Sequence, residues 1–163
     1  MIKAALLALI TMMPSTVTPA QTPPLIGSWR LIEYATETAD GTRTFPLGPD
    51  AVGMAAYLAN GRVSIQFMRR DRPPFLSGDA WRGTPEEERA AFEGYFAYAG
   101  RFTLDEKRGT VTHHVEICSA PNYVGTDLVR QFSFAGNRLT LRTPPRMLAG
   151  QTSSAILIWQ RIE

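Results

Sequence analysis

Along the body of the chain, apolar and polar positions alternate with a period of two. Val63, Ile65 and Phe67 alternate with Ser64, Gln66 and Met68, so this segment reads as a strand with one buried face. Gly53 to Leu58 lies before it across Ala59-Asn60-Gly61, the strongest hairpin signal in the chain. Ser28 to Glu37 is a strand rich in aromatic and β-branched residues, and Ala39-Asp40-Gly41 turns the chain into a short return strand, Thr42 to Leu47. Further strands are predicted over Arg101 to Leu104, Thr110 to Cys118, Leu128 to Phe134, Arg138 to Thr143 and Ser154 to Ile162. Asp105 to Gly109 and Ala135-Gly136-Asn137 supply turns, and a polar loop follows Thr143-Pro144-Pro145.

The alternation is interrupted once. Residues 69–83 are polar and hold Pro73, Pro74, Gly78 and Gly83, a loop composition. Thr84-Pro85-Glu86-Glu87 then opens a helix, with threonine as cap, proline in the first turn and Glu87 closing a capping box. Phe92, Tyr95, Phe96 and Ala99 recur at helical spacing and are expected to form its apolar face. The pattern therefore predicts an all-β fold of eight or nine strands with one helix in a mid-chain connection. An antiparallel sheet of that size removes its edges by closing, so a closed antiparallel up-and-down β-barrel is expected.

The first twenty residues differ from the rest. Lys3 precedes an apolar run from Ala4 to Met13, followed by Pro14 and by small residues around Pro19 and Ala20. This order of charge, apolar core and small-residue cut site predicts a secretory signal peptide over 1–20 and a single domain over 21–163, exported to the periplasm or secreted. No apolar run reaches the roughly 18 residues of a membrane span. Seventeen Lys and Arg against fifteen Asp and Glu leave +2, a balance that argues against recognition of nucleic acid by bulk charge. The lone Cys118 excludes an internal disulfide and a Cys-rich zinc site. Nothing in the pattern sets an oligomeric state.

Gly27-Ser28-Trp29 opens the first strand and Trp159-Gln160-Arg161 closes the last. Between them stand Pro46-Leu47-Gly48-Pro49-Asp50, Arg72-Pro73-Pro74-Phe75, Ser77-Gly78-Asp79, Gly83-Thr84-Pro85-Glu86-Glu87, Val111-Thr112-His113-His114-Val115-Glu116 and Pro121-Asn122-Tyr123-Val124-Gly125-Thr126-Asp127. From Leu25 to Arg161 the chain resembles the lipocalin-like domain family of small bacterial and fungal proteins, with a calycin-type barrel. The resemblance implies that Gly27, Trp29 and Arg161 close one barrel end, the arginine lying across the tryptophan. It also implies a protein that binds or transforms a small molecule. The chain departs from the family at its leader and at Ile117-Cys118, where small residues are more usual.

Candidate chemistry concentrates in two neighbouring strands. Val111, His113, Val115 and Ile117 share one face, and Thr112, His114, Glu116 and Cys118 the other. Leu128, Arg130, Phe132 and Phe134 share a face of the next strand. If the apolar sets point inward, His113 and Arg130 enter the barrel and lie opposite each other across the hairpin. A guanidinium among apolar residues is expensive without a partner, and a carboxylate, phosphate or enolate of a ligand suits its bidentate fork. Tyr57, Phe67, Tyr95, Phe132 and Trp159 are the expected apolar lining. If the polar face points inward instead, His114 and Glu116 form a general acid/base couple. Which histidine faces inward stays open. His113 and His114 point apart and do not chelate a metal together. The chain has no Gly-x-Ser-x-Gly and no phosphate loop, and no cofactor is implied.

Three functions fit this reading. The first is an exported barrel binding a small, largely apolar or amphipathic molecule with an anionic group, through Arg130 and His113. The second is a cofactor-independent isomerase, cyclase or hydratase using His113, His114 and Glu116 for proton transfer. The third is an envelope or interaction protein whose barrel is filled by its own side chains.

Overall fold

The computed structural model describes residues 24–148 and 150–162. The expected signal peptide and its cut site therefore lie outside the described residues. Ten strands are present: β1 (Gly27–Thr38), β2 (Arg43–Thr44), β3 (Val52–Tyr57), β4 (Arg62–Met68), β5 (Tyr95–Asp105), β6 (Thr110–Cys118), β7 (Asp127–Ala135), β8 (Arg138–Arg142), β9 (Arg146–Leu148) and β10 (Gln151–Ile162). A helix, α1 (Pro85–Glu93), lies between β4 and β5, and a single 3-10 turn spans Pro121–Tyr123.

Every pairing is antiparallel; each strand from β3 to β7 pairs with its successor in the chain, and β8 pairs with β10. The sheet closes because β1 pairs with both β3 and β10, the latter from Ser28↔Ile162 to Thr38↔Ser153. The closed barrel has eight strands: β1, β3 to β8 and β10. β2 and β9 are short additions to the ends of β1 and β10.

The two ends of the barrel differ because alternate connections differ in length. Tight turns link β3 to β4, β5 to β6 and β7 to β8, and the chain enters β1 and leaves β10 at that same end. The connections after β1, β4, β6 and β8 are longer and gather at the opposite end, where α1 also lies. At the tight end Trp29 is fully buried, its indole N–H donating to the Leu25 carbonyl at 3.0 Å. The Arg161 guanidinium lies over the Trp29 ring, with Cζ 4.2 Å from the centroid, and donates to the carbonyls of Ile26 and Pro24.

The capping box forms as expected, Thr84 Oγ1 accepting from the Glu87 N–H and Glu87 Oε2 from the Thr84 N–H. The expected helical face does not form. Gly94 ends α1, and Tyr95, Phe96 and Ala99 belong to β5, where Tyr95 pairs with Met68 and Phe96 with Phe67. Sheet pairing and aromatic packing outweigh the local 3.6-residue spacing, so this strand starts at Tyr95 rather than Arg101. The return strand over Thr42 to Leu47 shrinks to Arg43–Thr44, and the loop after Pro145 contains β9.

Candidate functional site

Side chains fill the barrel unevenly. The tight-turn half is packed by Trp29, Tyr57, Leu139, Val111 and Trp159, all essentially without exposure. The other half holds a cavity of about 610 Å³. Ile65, Leu141, Leu157 and Tyr98 lie among its deeper lining, and Phe67, Phe96 and Tyr34 along its wall. Its rim comes from the longer connections: Leu47, Phe92, Tyr123 and Arg146. Basic side chains tether these connections. Arg69 donates to the Pro46 carbonyl, Arg70 bonds Asp50, and Arg72 donates to the Ala91 carbonyl while lying over the Tyr95 ring.

The aromatic wall is continuous. Ring centroids are 5.0 Å apart for Tyr34 and Phe67, 5.5 Å for Phe67 and Phe96, 5.7 Å for Phe96 and Tyr123, and 5.8 Å for Phe96 and Tyr98. These tilted and edge-on contacts lie in the range that aromatic pairs favour, and they line one side of the cavity with aromatic rings.

Beneath that wall lies a polar chain. His113 is fully buried, with Nε2 2.8 Å from the Tyr57 hydroxyl and Nδ1 2.8 Å from the Tyr98 hydroxyl. Burial drives its pKa down to about 3, with Arg130 and His114 adding charge repulsion. The imidazole is therefore neutral, with one nitrogen donating and the other accepting. Burial pushes Tyr98 up to about 12 against the opposing field of Arg130, and Tyr57 goes well above its ordinary range for the same first reason. Both phenols stay protonated at neutral pH.

Arg130 lines the cavity from β7 and is half-buried, donating to the Val129 carbonyl at 2.9 Å. Among the described residues no carboxylate is paired with it. Its inward direction follows the alternation of β7, where Leu128, Arg130, Phe132 and Phe134 are half-buried and Val129, Gln131 and Ser133 exposed.

Of the residues singled out from the sequence, Arg130, Phe67 and Tyr95 line the cavity. Tyr57, His113, Phe132 and Trp159 face inward but lie in the packed half; Tyr57 and His113 reach the cavity only through Tyr98. His113 and Arg130 lie on adjacent strands but not opposite each other: Arg130 pairs with Val111, and His113 with Leu128. The couple of His114 and Glu116 is not formed inside the barrel. His114 Nδ1 is 2.7 Å from Asp127 and its Nε2 3.1 Å from the Thr103 hydroxyl, on the outer face. Glu116 is exposed and accepts both guanidinium nitrogens of Arg62, at 2.9 and 2.8 Å, with Arg101 at 3.3 Å. Those partners hold its carboxyl below the usual range, Arg62 most strongly.

Sequence reasoning missed Tyr34, Phe96, Tyr98, Tyr123 and Arg146. Starting β5 at Tyr95 places Phe96, Tyr98 and Phe102 on one face, so alternation alone carries the signal for two of them. Tyr34 follows a register shift between Leu31 and Glu33, and such an irregularity re-aims the side chains beyond it.

A closed eight-stranded antiparallel barrel, plugged at one end and hollow at the other, defines an up-and-down barrel with an internal cavity. The chain belongs to the lipocalin-like domain family, whose profile matches residues 26–162. It is similar to the 4'-hydroxy-3'-methoxypropiophenone carrier protein of Aspergillus oryzae, 34% identical over 107 residues that cover 61% of this chain and 96% of the relative. A lipocalin-like protein from Bacteroides uniformis is a structural neighbour at 14% identity and a TM-score of 0.44, covering 86% of this chain and 100% of its own.

Proposed function

We propose that this chain is an exported barrel that binds a small, largely apolar molecule carrying an anionic group, without a cofactor. The observation that carries this reading is the half-buried guanidinium of Arg130, which has no carboxylate partner among the described residues and faces an aromatic cavity of about 610 Å³. A cation held against apolar side chains is stabilised by a paired, hydrogen-bonded anion. The cavity volume lies within the usual range for small-molecule sites, about 300–1,000 Å³. The Aspergillus relative, named as the carrier of an aromatic ketone, supports small-molecule carriage here. Export rests on the expected leader over 1–20.

The other two functions draw less support from the geometry. His114 and Glu116 lie outside the barrel and His113 is a very weak base, so a His/Glu proton-transfer couple does not face the cavity. A barrel filled by its own side chains matches the Trp29 half and not the Tyr98 half. Native mass spectrometry of the gently purified protein, wild type beside Arg130→Ala, tests the proposal. A small acidic molecule retained by wild type and lost from the variant supports it. Equal retention of an acidic molecule by both removes Arg130 from the site.

A further inference from the structure

Three buried side chains connect the packed half of the barrel to its cavity, and the reading of the cavity as a binding site gives them no task. The Tyr57 hydroxyl, His113 and the Tyr98 hydroxyl form one hydrogen-bonded chain, 2.8 Å at each link. Only its last member, Tyr98, lines the cavity.

A neutral imidazole permits two arrangements of that chain. With the proton on Nδ1, His113 donates to the Tyr98 oxygen, and the Tyr57 hydroxyl donates to Nε2. The Tyr98 O–H is then released to donate into the cavity. With the proton on Nε2, His113 donates to Tyr57, and Tyr98 spends its own proton on Nδ1. The Tyr98 oxygen then offers the cavity only an acceptor. Burial removes competing water from His113, so the choice between the two rests on what lies against Tyr98.

We propose that the Tyr57–His113–Tyr98 chain is a relay that turns the Tyr98 hydroxyl into a donor toward the cavity, and that Tyr98 and Arg130 together hold the conjugated oxyanion of a planar aromatic molecule, a phenolate or enolate. The proposal rests on the cavity being the binding site. Arg130 brings the positive charge and Tyr98 a directed O–H, and both line the same cavity, the guanidinium near enough to oppose the rise in the Tyr98 pKa. Donors alone discriminate against a ligand that brings its own hydrogen, or none of the charge. An aromatic ligand suits the wall of Tyr34, Phe67 and Phe96, whose mutually tilted rings follow one another along the cavity side and offer it both faces and edges. A delocalised oxyanion suits this end better than a compact, strongly hydrated one, because its desolvation costs less.

The two carboxylates of the lining are already paired, and its second guanidinium, Arg146, stands exposed at the rim. Asp127 is held by His114, Glu93 by Arg89 at 2.8 Å, and Arg146 donates to the Tyr123 hydroxyl at 3.2 Å. His113 takes no part as a base: the two arrangements hold the same three protons and differ in which ring nitrogen carries the N–H and in which way the two hydroxyls point. The ring exchanges its proton with water when the barrel opens locally, each hydroxyl keeps its own proton and rotates, and the bound ligand selects between the two arrangements.

The probes are 4-nitrophenol, whose phenolate is coloured, and 4-nitroanisole, which has the same ring and no acidic proton. Wild type is expected to bind the phenolate in preference to the anisole and to lower the apparent pKa of bound 4-nitrophenol, read from its absorbance across a pH series. In Tyr98→Phe, affinity for the phenolate is expected to fall about ten- to a hundred-fold, the scale of a hydrogen bond to a charged group, with anisole binding unchanged. Tyr57→Phe, which touches no part of the cavity, is expected to reduce the phenolate preference by a smaller factor. In 15N NMR, the His113 proton is expected on Nδ1 when the phenolate is bound. Anisole binding that persists while Tyr98→Phe and Tyr57→Phe leave the phenolate preference intact overturns the relay and leaves the binding site standing. Failure of both probes to bind wild type overturns the relay and the aromatic site together.

Discussion

The guanidinium of Arg161 stacks on the indole of Trp29, its central carbon 4.2 Å from the ring centroid. Trp29 is the third residue of β1 and Arg161 the last but one of β10, so this contact joins the two ends of the described chain. The same guanidinium donates to the Ile26 carbonyl at 2.8 Å, and a Cβ added to Gly27 would lie 2.5 Å from Arg161 Nη1. Gly27 therefore serves by leaving room, and its φ of +137° adds a backbone reason for glycine. Trp29→Ala is expected to cost about 3–5 kcal/mol of stability with no ligand present. A urea midpoint close to wild type would show that the barrel end closes without the ring.

Arg130 is the half-buried cation of the cavity lining, whereas Arg146 is exposed at its rim. Arg130→Ala is expected to weaken an anionic ligand by about 1.5–3 kcal/mol, the scale of a charged hydrogen bond, with the fold intact. Glu116→Gln is the natural control, because that carboxylate pairs with Arg62 and Arg101 on the outer face. Isothermal calorimetry should show the loss in the first variant and wild-type affinity in the second. Loss of equal size in both would point to a global change rather than to the cavity.

His113 makes stability depend on pH. Burial lowers its pKa from 6.5 to about 3 in the folded barrel. The unfolded chain therefore binds a proton below 6.5 that the folded chain refuses, and stability must fall as pH falls. The contribution is fully present above the unfolded value and declines by about 1.4 kcal/mol for each pH unit below it. From 6.5 down to about 5 the carboxylates held below their usual range are still ionised in both states, which removes them from the slope. Urea titrations across that interval should show a falling midpoint. A flat profile, or an NMR titration of His113 near neutrality, would mean that the imidazole is charged or hydrated in the folded protein.

Gly100 lies directly against the backbone of β6. A side chain there would collide with the backbone carbonyl of His114, at the point where the register shifts between Ala99 and Gly100. Gly100→Ala is expected to destabilise the barrel by several kcal/mol, on the order of 3, since backbone rather than a flexible side chain must move. Thermal melts read this directly, and an unchanged melting temperature would mean that the two strands separate at little cost.

Much of the barrel was legible in the chain, because strand alternation, the Asn60-Gly61 turn and the Thr84 capping box are local signals. The inward direction of Arg130 and the closing pair of Trp29 and Arg161 followed from the same alternation and from family resemblance. Alternation reports which face a residue occupies; it carries no information about height along the barrel axis. For that reason Trp159, Phe132 and Tyr57 were grouped with Phe67 as cavity lining, although they lie toward the tight-turn end, where the barrel is filled. Height was decided by the closure of β1 on β10 and by the register of each hairpin, which are long-range pairings. The same pairings drew Tyr95 and Phe96 out of a helical pattern and into β5, and brought Tyr98 within 2.8 Å of His113. Local spacing thus determined the strands and their faces, whereas the polar chain from Tyr57 to Tyr98 exists only because β3, carrying Tyr57, meets the β5–β6 hairpin, carrying Tyr98 and His113, across the interior of a closed sheet.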